Sequence, residues 1–244
     1  LMVLAYRFLG WTALMRQDFF EAVNLGEQAL AIACDMGDKR AQATSHFLLG
    51  EIAHRQGEFA RAETLFAQAL AIARNLKDGV NASRILNQLG ETARRQKKYP
   101  LAEAYYLECL ASFRDTYGWD NFAVPLSNLG HVAVRRGDPE RAADYFQESI
   151  DSDKEFDTWN IWGMGVVAAA QSRPAQAARL YAVVDKLLAA DVREILYPED
   201  REEFRRDVDS VREQLDEASF TAAWAEGRVM SPEEAIAYAL EEQA

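Results

Sequence analysis

The stretch AQATSHFLLGEIAHRQGEFARAETLFAQALAIA, residues 41–73, decides the fold. QGEF at 56–59 reads as a tight turn. Apolar residues recur three and four apart on both sides of it, as in Leu65, Phe66, Ala69, Leu70, Ile72 and Ala73. That is the period of a helix with one buried face, so the stretch reads as two helices and a turn. Three marks set its register: Gly50, Ala62 and Phe66. The same marks return along the chain. Glycine recurs at Gly10, Gly50, Gly90 and Gly130, 40 residues apart, and at Gly165 after 35. Twelve residues after each comes an alanine: Ala22, Ala62, Ala102, Ala142 and Ala177. Sixteen after each comes Gly26, Phe66, Tyr106, Phe146 or Tyr181. Turns fall midway at RQKKYP (95–100), RGDP (136–139) and QSRP (171–174), and ALAIA is spelled at both 29–33 and 69–73. Such a shared register is the signature of a helical repeat array.

Each repeat is therefore expected to be a helix hairpin. The whole is expected to be an all-α, right-handed superhelical solenoid, with five hairpins over residues 1–190 and a helical cap over residues 191–244. Small residues at the glycine and alanine marks let paired helices approach closely, and the aromatic mark is expected to fill the gap between units. Asp138-Pro139 predicts an N-cap followed by proline at the first helical position. Pro125 would break a helix begun at Asp120, so the fourth hairpin's first helix should start near Val124 or kink.

Composition narrows the function. The 244 residues carry 27 Lys and Arg against 39 Asp and Glu, a net charge of −12 at pH 7. Proteins that grip a phosphate backbone carry a basic face, so direct nucleic-acid binding is not expected. Cys34 and Cys109 are too few for a disulfide framework or a structural zinc site, and are expected as buried reduced thiols on second helices two units apart. The longest apolar-looking run, 161–170, is half the ~20 residues a membrane helix needs. Arg7 interrupts the apolar start LMVLAYRFLGW, and no basic region precedes it, so it does not read as a signal peptide. The expectation is a cytoplasmic, non-catalytic protein with no cofactor and no membrane partner.

Two stretches carry a family resemblance. Leu86, Leu89-Gly90, Ala102, Tyr106 and again Leu126, Leu129-Gly130, Ala142, Phe146 resemble the tetratricopeptide repeat pattern. The period of 40 exceeds that family's 34, and the extra residues fall in stretches such as RNLKDGVNAS (74–83), which implies helices longer by over a turn. The resemblance covers roughly residues 1–190 and implies a groove lined by the first helix of each hairpin. The family's carboxylate clamp needs Lys and Asn four apart on such a helix; here those positions hold Arg7/Trp11, Phe47/Glu51 and Asn87/Glu91, so chaperone tails are not the expected ligand.

Beyond residue 190 the rhythm stops and 16 acids face 6 bases. A helix is predicted through Phe204, Val208, Val211 and Leu215, a second over about 217–226 ending at Gly227, and a third opened by the capping box Ser231-Pro232-Glu233-Glu234. Residues 165–187 and 222–240 are similar to the end of the repeat region in bacterial multidomain signalling ATPases. Among these are large LuxR-type transcriptional activators related to the maltose activator. That resemblance implies a protein-interaction or ligand-sensing arm, preceded by a nucleotide-binding domain in a longer chain; the apolar, uncapped start fits it. The sequence given has no GxxxxGK[ST] loop. The alternative is a free-standing adaptor that binds a peptide of a partner.

The register names the residues expected to line the groove. One column holds Arg7, Phe47, Asn87, Ser127 and Trp162; a second holds Trp11, Glu51, Glu91, His131 and Val166; a third holds Met15, Arg55, Arg95 and Arg135. Exposed aromatics anchor peptides, so Trp11, Phe47, Trp119 and Trp162 read either as groove anchors or as plain core packing. The cations His54-Arg55, Arg94-Arg95-Lys97-Lys98 and Arg135-Arg136 stack on one edge. They read either as a rail for an acidic peptide or phosphorylated ligand, or as solvated complements of helix dipoles. The rail would also suit the acidic tail of a second copy in a homo-oligomer. Glu51, Glu91 and His131 lie on helices too far apart to share one metal, and His46 is expected as half-buried packing.

Overall fold

The computed structural model describes residues 1–117, 123–152, 157–190 and 198–241. These residues form thirteen helices and no strand. They divide into two compact units, Leu1–Trp119 and Asp120–Ala244. The fold class is all-α, a series of repeat hairpins.

The first unit holds three hairpins: α1 (Met2–Met15) with α2 (Phe19–Asp35), α3 (Lys39–Arg55) with α4 (Phe59–Asn75), and α5 (Gly79–Arg95) with α6 (Tyr99–Tyr117). Successive hairpins pack α2 on α3 and α4 on α5, while the first helices meet as α1 with α3 and α3 with α5. Helices α2 to α5 each have 17 residues and are joined by three-residue turns. The 40-residue period is thus two equal halves, and the added length is shared by both helices of a hairpin. The turn repeats every 20 residues: Gln17, Gly37, Gly57, Lys77 and Lys97 all sit at positive φ. A residue there reverses the chain so that the next can cap the following helix. Asp18, Asp38 and Asp78 do so, accepting from the N–H groups of Glu21, Ala41 and Asn81.

The repeat marks are contact sites. The five alanines are wholly buried. A Cβ on Gly50 would stand 2.6 Å from the Phe66 ring, and one on Gly90 2.4 Å from Tyr106. The aromatic thus lies on the glycine of its own hairpin and also reaches the next one, as expected: a Cβ on Gly163 of the fifth hairpin would stand 2.1 Å from the Phe146 ring of the fourth, and Phe66 clusters with Ile85 and Leu86. The first hairpin has Gly26 in place of the aromatic, and Leu48 and Leu49 of α3 press on Gly10 and Gly26 instead. Cys109 is buried and donates to the Ser83 carbonyl, whereas Cys34, at the end of α2, is exposed rather than buried as expected.

The second unit has two hairpins: α7 (Ala123–Arg135) with α8 (Pro139–Ser152), and α9 (Asp157–Ala170) with α10 (Pro174–Ala190). Helix α7 carries Pro125 in its first turn, where a missing N–H is harmless; Trp119 and Asp120 lie outside the described residues. Asp138 accepts from the Arg141 N–H, the N-cap expected before Pro139. Three further helices follow: α11 (Pro198–Glu213), α12 (Glu217–Val229) and α13 (Pro232–Glu241). Helix α12 runs along α10, α13 packs on α9 and α10, and α11 lies on the same pair. Phe204, Val208, Leu215, Trp224 and Tyr238 join Leu180, Val183 and Leu187 in one apolar cluster. Gly227 does not stop α12 as expected. It sits inside the helix, where a Cβ would come within 2.1 Å of the Arg179 carbonyl oxygen. The capping box is present: the Ser231 N–H donates to Glu234 and the Glu234 N–H to the Ser231 hydroxyl.

Candidate functional site

In the first unit the expected columns lie on α1, α3 and α5. Trp11 and Phe47 are half-buried neighbours with ring centroids 6.2 Å apart, and Phe47 continues to Phe66 at 5.7 Å. The Arg84 guanidinium lies 5.1 Å above the Phe47 ring. Arg7, Trp11, Thr44, Phe47, Asn81 and Arg84 surround a cavity of about 30 Å³. Arg84 was not among the expected residues; it stands three before Asn87, one helical turn away on the same face.

The acidic members of the columns are interior. Glu51 is 3% exposed and accepts a hydrogen bond from the Gln88 amide. Burial pushes its pKa up to about 7, against the pull of Gln88, Arg55 and Arg84. Burial also opposes ionisation of Glu91, but Arg94 and Arg95 outweigh it and hold that carboxyl well below the usual range. Arg94 Nε donates to Glu91 at 2.9 Å, Arg95 Nε at 2.7 Å and the Tyr106 hydroxyl at 3.3 Å. His54 is buried against Thr92, 3.0 Å from its hydroxyl, and desolvation lowers its pKa to about 4. His46 is half-buried, as expected. Asn87 and Arg55 are half-buried at the same face. The expected cation rail is therefore broken here: Arg94 and Arg95 serve a buried carboxylate of their own helix.

In the second unit the columns are covered. Trp162 is 1% exposed, and its indole N–H donates to Asp207 at 2.9 Å. Arg135 Nη2 donates to both carboxylate oxygens of Asp207 at 3.0 Å, and its Nε donates to Glu203 at 3.0 Å. Burial works against the Arg135 charge and the two carboxylates more than restore it; for Asp207 burial dominates and pushes the pKa up. Between these acids on α11, Phe204 stands edge-on to Trp162 and to Tyr181, each at 5.7 Å. His131 is buried in an aromatic cage of Phe146, Trp159 and Trp162 at 5.1, 5.7 and 5.2 Å. Ser127 and Val166 are buried too. Trp162, His131 and Ser127 are thus interior residues and present no open surface. Sequence reading found Phe204 on its stripe but not Glu203 and Asp207, which lie four apart on one face of α11, Asp207 also standing three after Phe204.

Among the described residues no group of three His, Cys, Asp or Glu is placed to hold a metal ion, and no helix is long and apolar enough to cross a membrane. A family model described as tetratricopeptide repeat matches residues 2–75 and 81–155, and a second of the same description matches residues 127–192. No curated protein matches the chain. Several solved structures share the fold at low identity. The pilF protein of Pseudomonas aeruginosa is 22% identical, with 92% of this chain and 97% of that one covered and a TM-score of 0.62. The Rap conjugation gene regulator of plasmid pLS20, solved in complex with the Phr* peptide, is 15% identical over 97% of this chain and 73% of that one, TM-score 0.64. BtubC (BKLC) from P. vanneervenii is 19% identical over 82% and 78%, TM-score 0.61.

Proposed function

The chain belongs to the tetratricopeptide repeat family, and on that footing we propose that it is a non-catalytic protein-interaction and ligand-sensing arm of a bacterial signalling ATPase or transcriptional regulator. The fold itself suggests protein–protein interaction. The observation that carries the reading is the seat of α11. An acidic amphipathic helix lies across first-helix residues of the second unit, its carboxylates on Arg135 and its ring on Trp162. Those are two of the positions expected from the register to line the groove, which supports a groove that accepts a helix of that chemistry. The peptide seen in the Rap regulator complex supports the same reading. Placement in a regulator rests on the resemblance of residues 165–187 and 222–240. In that setting the groove takes a segment of the upstream nucleotide-binding domain or of a partner, in the cytoplasm. The second reading, a free-standing adaptor, uses the same groove without the upstream domain.

The test begins with the coding sequence upstream of Leu1. A nucleotide-binding domain in the same reading frame should bind this chain when purified separately, and Phe47→Ala should weaken that binding through the off-rate. A start codon directly before Leu1, or no binding between the two parts in calorimetry, overturns the regulator-arm reading.

A further inference from the structure

We propose that the pocket between α1, α3 and α5 is a binding site for an acidic–aromatic helix of a partner protein, with a carboxylate seated between Arg7 and Arg84 and the adjoining ring on Trp11 and Phe47. The inference rests on the interaction reading above and adds the chemical class of the ligand.

Two cations meet here, and Glu51, the acid on which the Arg84 charge acts, forms an ion pair with neither. The Arg7 Nε is buried and makes no hydrogen bond, and the Arg84 guanidinium rests on the Phe47 face. Neither arginine has an ion pair among the described residues. Burial first, and then the Arg84 charge, depress the Arg7 pKa, so the two cations repel inside a partly desolvated pocket. Among the described residues the acids nearest the pocket are engaged elsewhere: Glu51 is buried and hydrogen-bonded by Gln88, Asp38 caps α3 through the Ala41 N–H, and Asp78 holds Arg40 and the Asn81 amide. Local conflict of this kind, in a sequence otherwise consistent with its fold, marks a site that another molecule completes. An arginine stacked on a ring keeps its in-plane N–H donors free for a carboxylate.

Size and an internal example select the occupant. The cavity of about 30 Å³ takes a carboxylate-sized group, since one water needs about 10–15 Å³ on this measure, and it is too small for a chain of phosphates. The second unit displays the matching ligand: Glu203, Phe204 and Asp207 of α11 present two acids around one ring to an arginine and a tryptophan. Arg7, Arg84, Trp11 and Phe47 offer the same groups, unfilled. Thr44 and Asn81 supply polar edges that suit the rest of such a helix.

The probe is a fluorescein-labelled peptide copying residues 198–213, titrated by anisotropy against the full chain. Saturable binding is expected. Arg84→Gln and Arg7→Gln should each weaken it by about tenfold or more, as should Phe204→Ala or the pair Glu203→Gln and Asp207→Asn in the peptide. Binding should weaken with rising salt. Arg84 is exposed, so its variant should keep the native melting curve and serve as the reference if Arg7→Gln misfolds. Binding unchanged by Arg84→Gln overturns the site while leaving the interaction reading intact, because that reading is tested on the upstream domain. No binding at millimolar peptide overturns it as well.

Discussion

Replacing Glu51 by glutamine should stabilise the protein, and more so at pH 8 than at pH 5. The carboxyl is 3% exposed, and its pKa in the fold is about 7 against an ordinary 4.5. A carboxyl whose folded pKa is raised binds a proton in the fold that the unfolded chain has already released. Stability is therefore lost as pH rises from about 4.5 towards 7 and stays lost above it. At 1.36 kcal/mol per pKa unit, the ionised form costs about 3 kcal/mol above pH 7. About 1 kcal/mol of that is already present at pH 5, where the unfolded carboxyl is mostly ionised, so the two pH values should differ by roughly 2–3 kcal/mol. Glutamine can accept the same bond from Gln88 and carries no charge to desolvate. The assay is urea unfolding of wild type and Glu51→Gln at both pH values, followed by circular dichroism, with m-values compared so that only stability is read. His54 acts in the opposite sense. Its pKa is lowered to about 4, so its contribution is lost as pH falls below about 6.5, but it is common to both proteins and cancels in their difference. A Glu51→Gln variant less stable than wild type at pH 8, or a difference independent of pH, would refute the assignment of a buried, costly charge.

Four further outcomes follow from the packing. Gly90→Ala should cost about 1–3 kcal/mol, because its Cβ meets the wholly buried Tyr106 ring at 2.4 Å, whereas Gly10→Ala meets only the end of the Leu48 side chain at 2.9 Å and should cost less; equal melting of the two would contradict this. Arg135→Ala leaves Asp207 buried with only the Trp162 indole as donor among the described residues and should destabilise the second unit by about 2–3 kcal/mol in urea unfolding; unchanged stability would count against α11 being held by this pair. Deleting residues 198–244 should expose Leu180, Val183 and Leu187 and drive aggregation, and a monomer of unchanged melting temperature in light scattering would disprove the capping role. The chain alone should neither bind nor hydrolyse ATP, since it carries no GxxxxGK[ST] loop, and micromolar affinity in calorimetry would contradict that.

The sequence by itself determined the family, the hairpin and its register. A glycine, an alanine and an aromatic at fixed spacing are legible because each answers to one local contact, a small residue under a ring, that the repeats after the first make again. Caps were legible for the same reason: Asp138 and Ser231 act within one helical turn. The turn's half-period of 20 was there to be read as well, but Gln17, Lys77 and Lys97 hold positions where only Gly37, Gly57 and Gly137 advertise positive φ. Column membership was also a matter of register, and Phe47 and Trp11 stand where it put them. What only the tertiary structure decided is which column residues remain open. Trp162 and Phe47 occupy equivalent positions in the repeat, yet one is covered by a helix some 40 residues further along the chain and the other is not. Arg95 and Arg135 are equally alike in sequence, but one serves Glu91 on its own helix and the other Asp207 on α11. Burial and ion pairing across elements depend on how distant segments meet in space, and a periodic sequence specifies its neighbours along the repeat without specifying what the non-repeating end will lie upon.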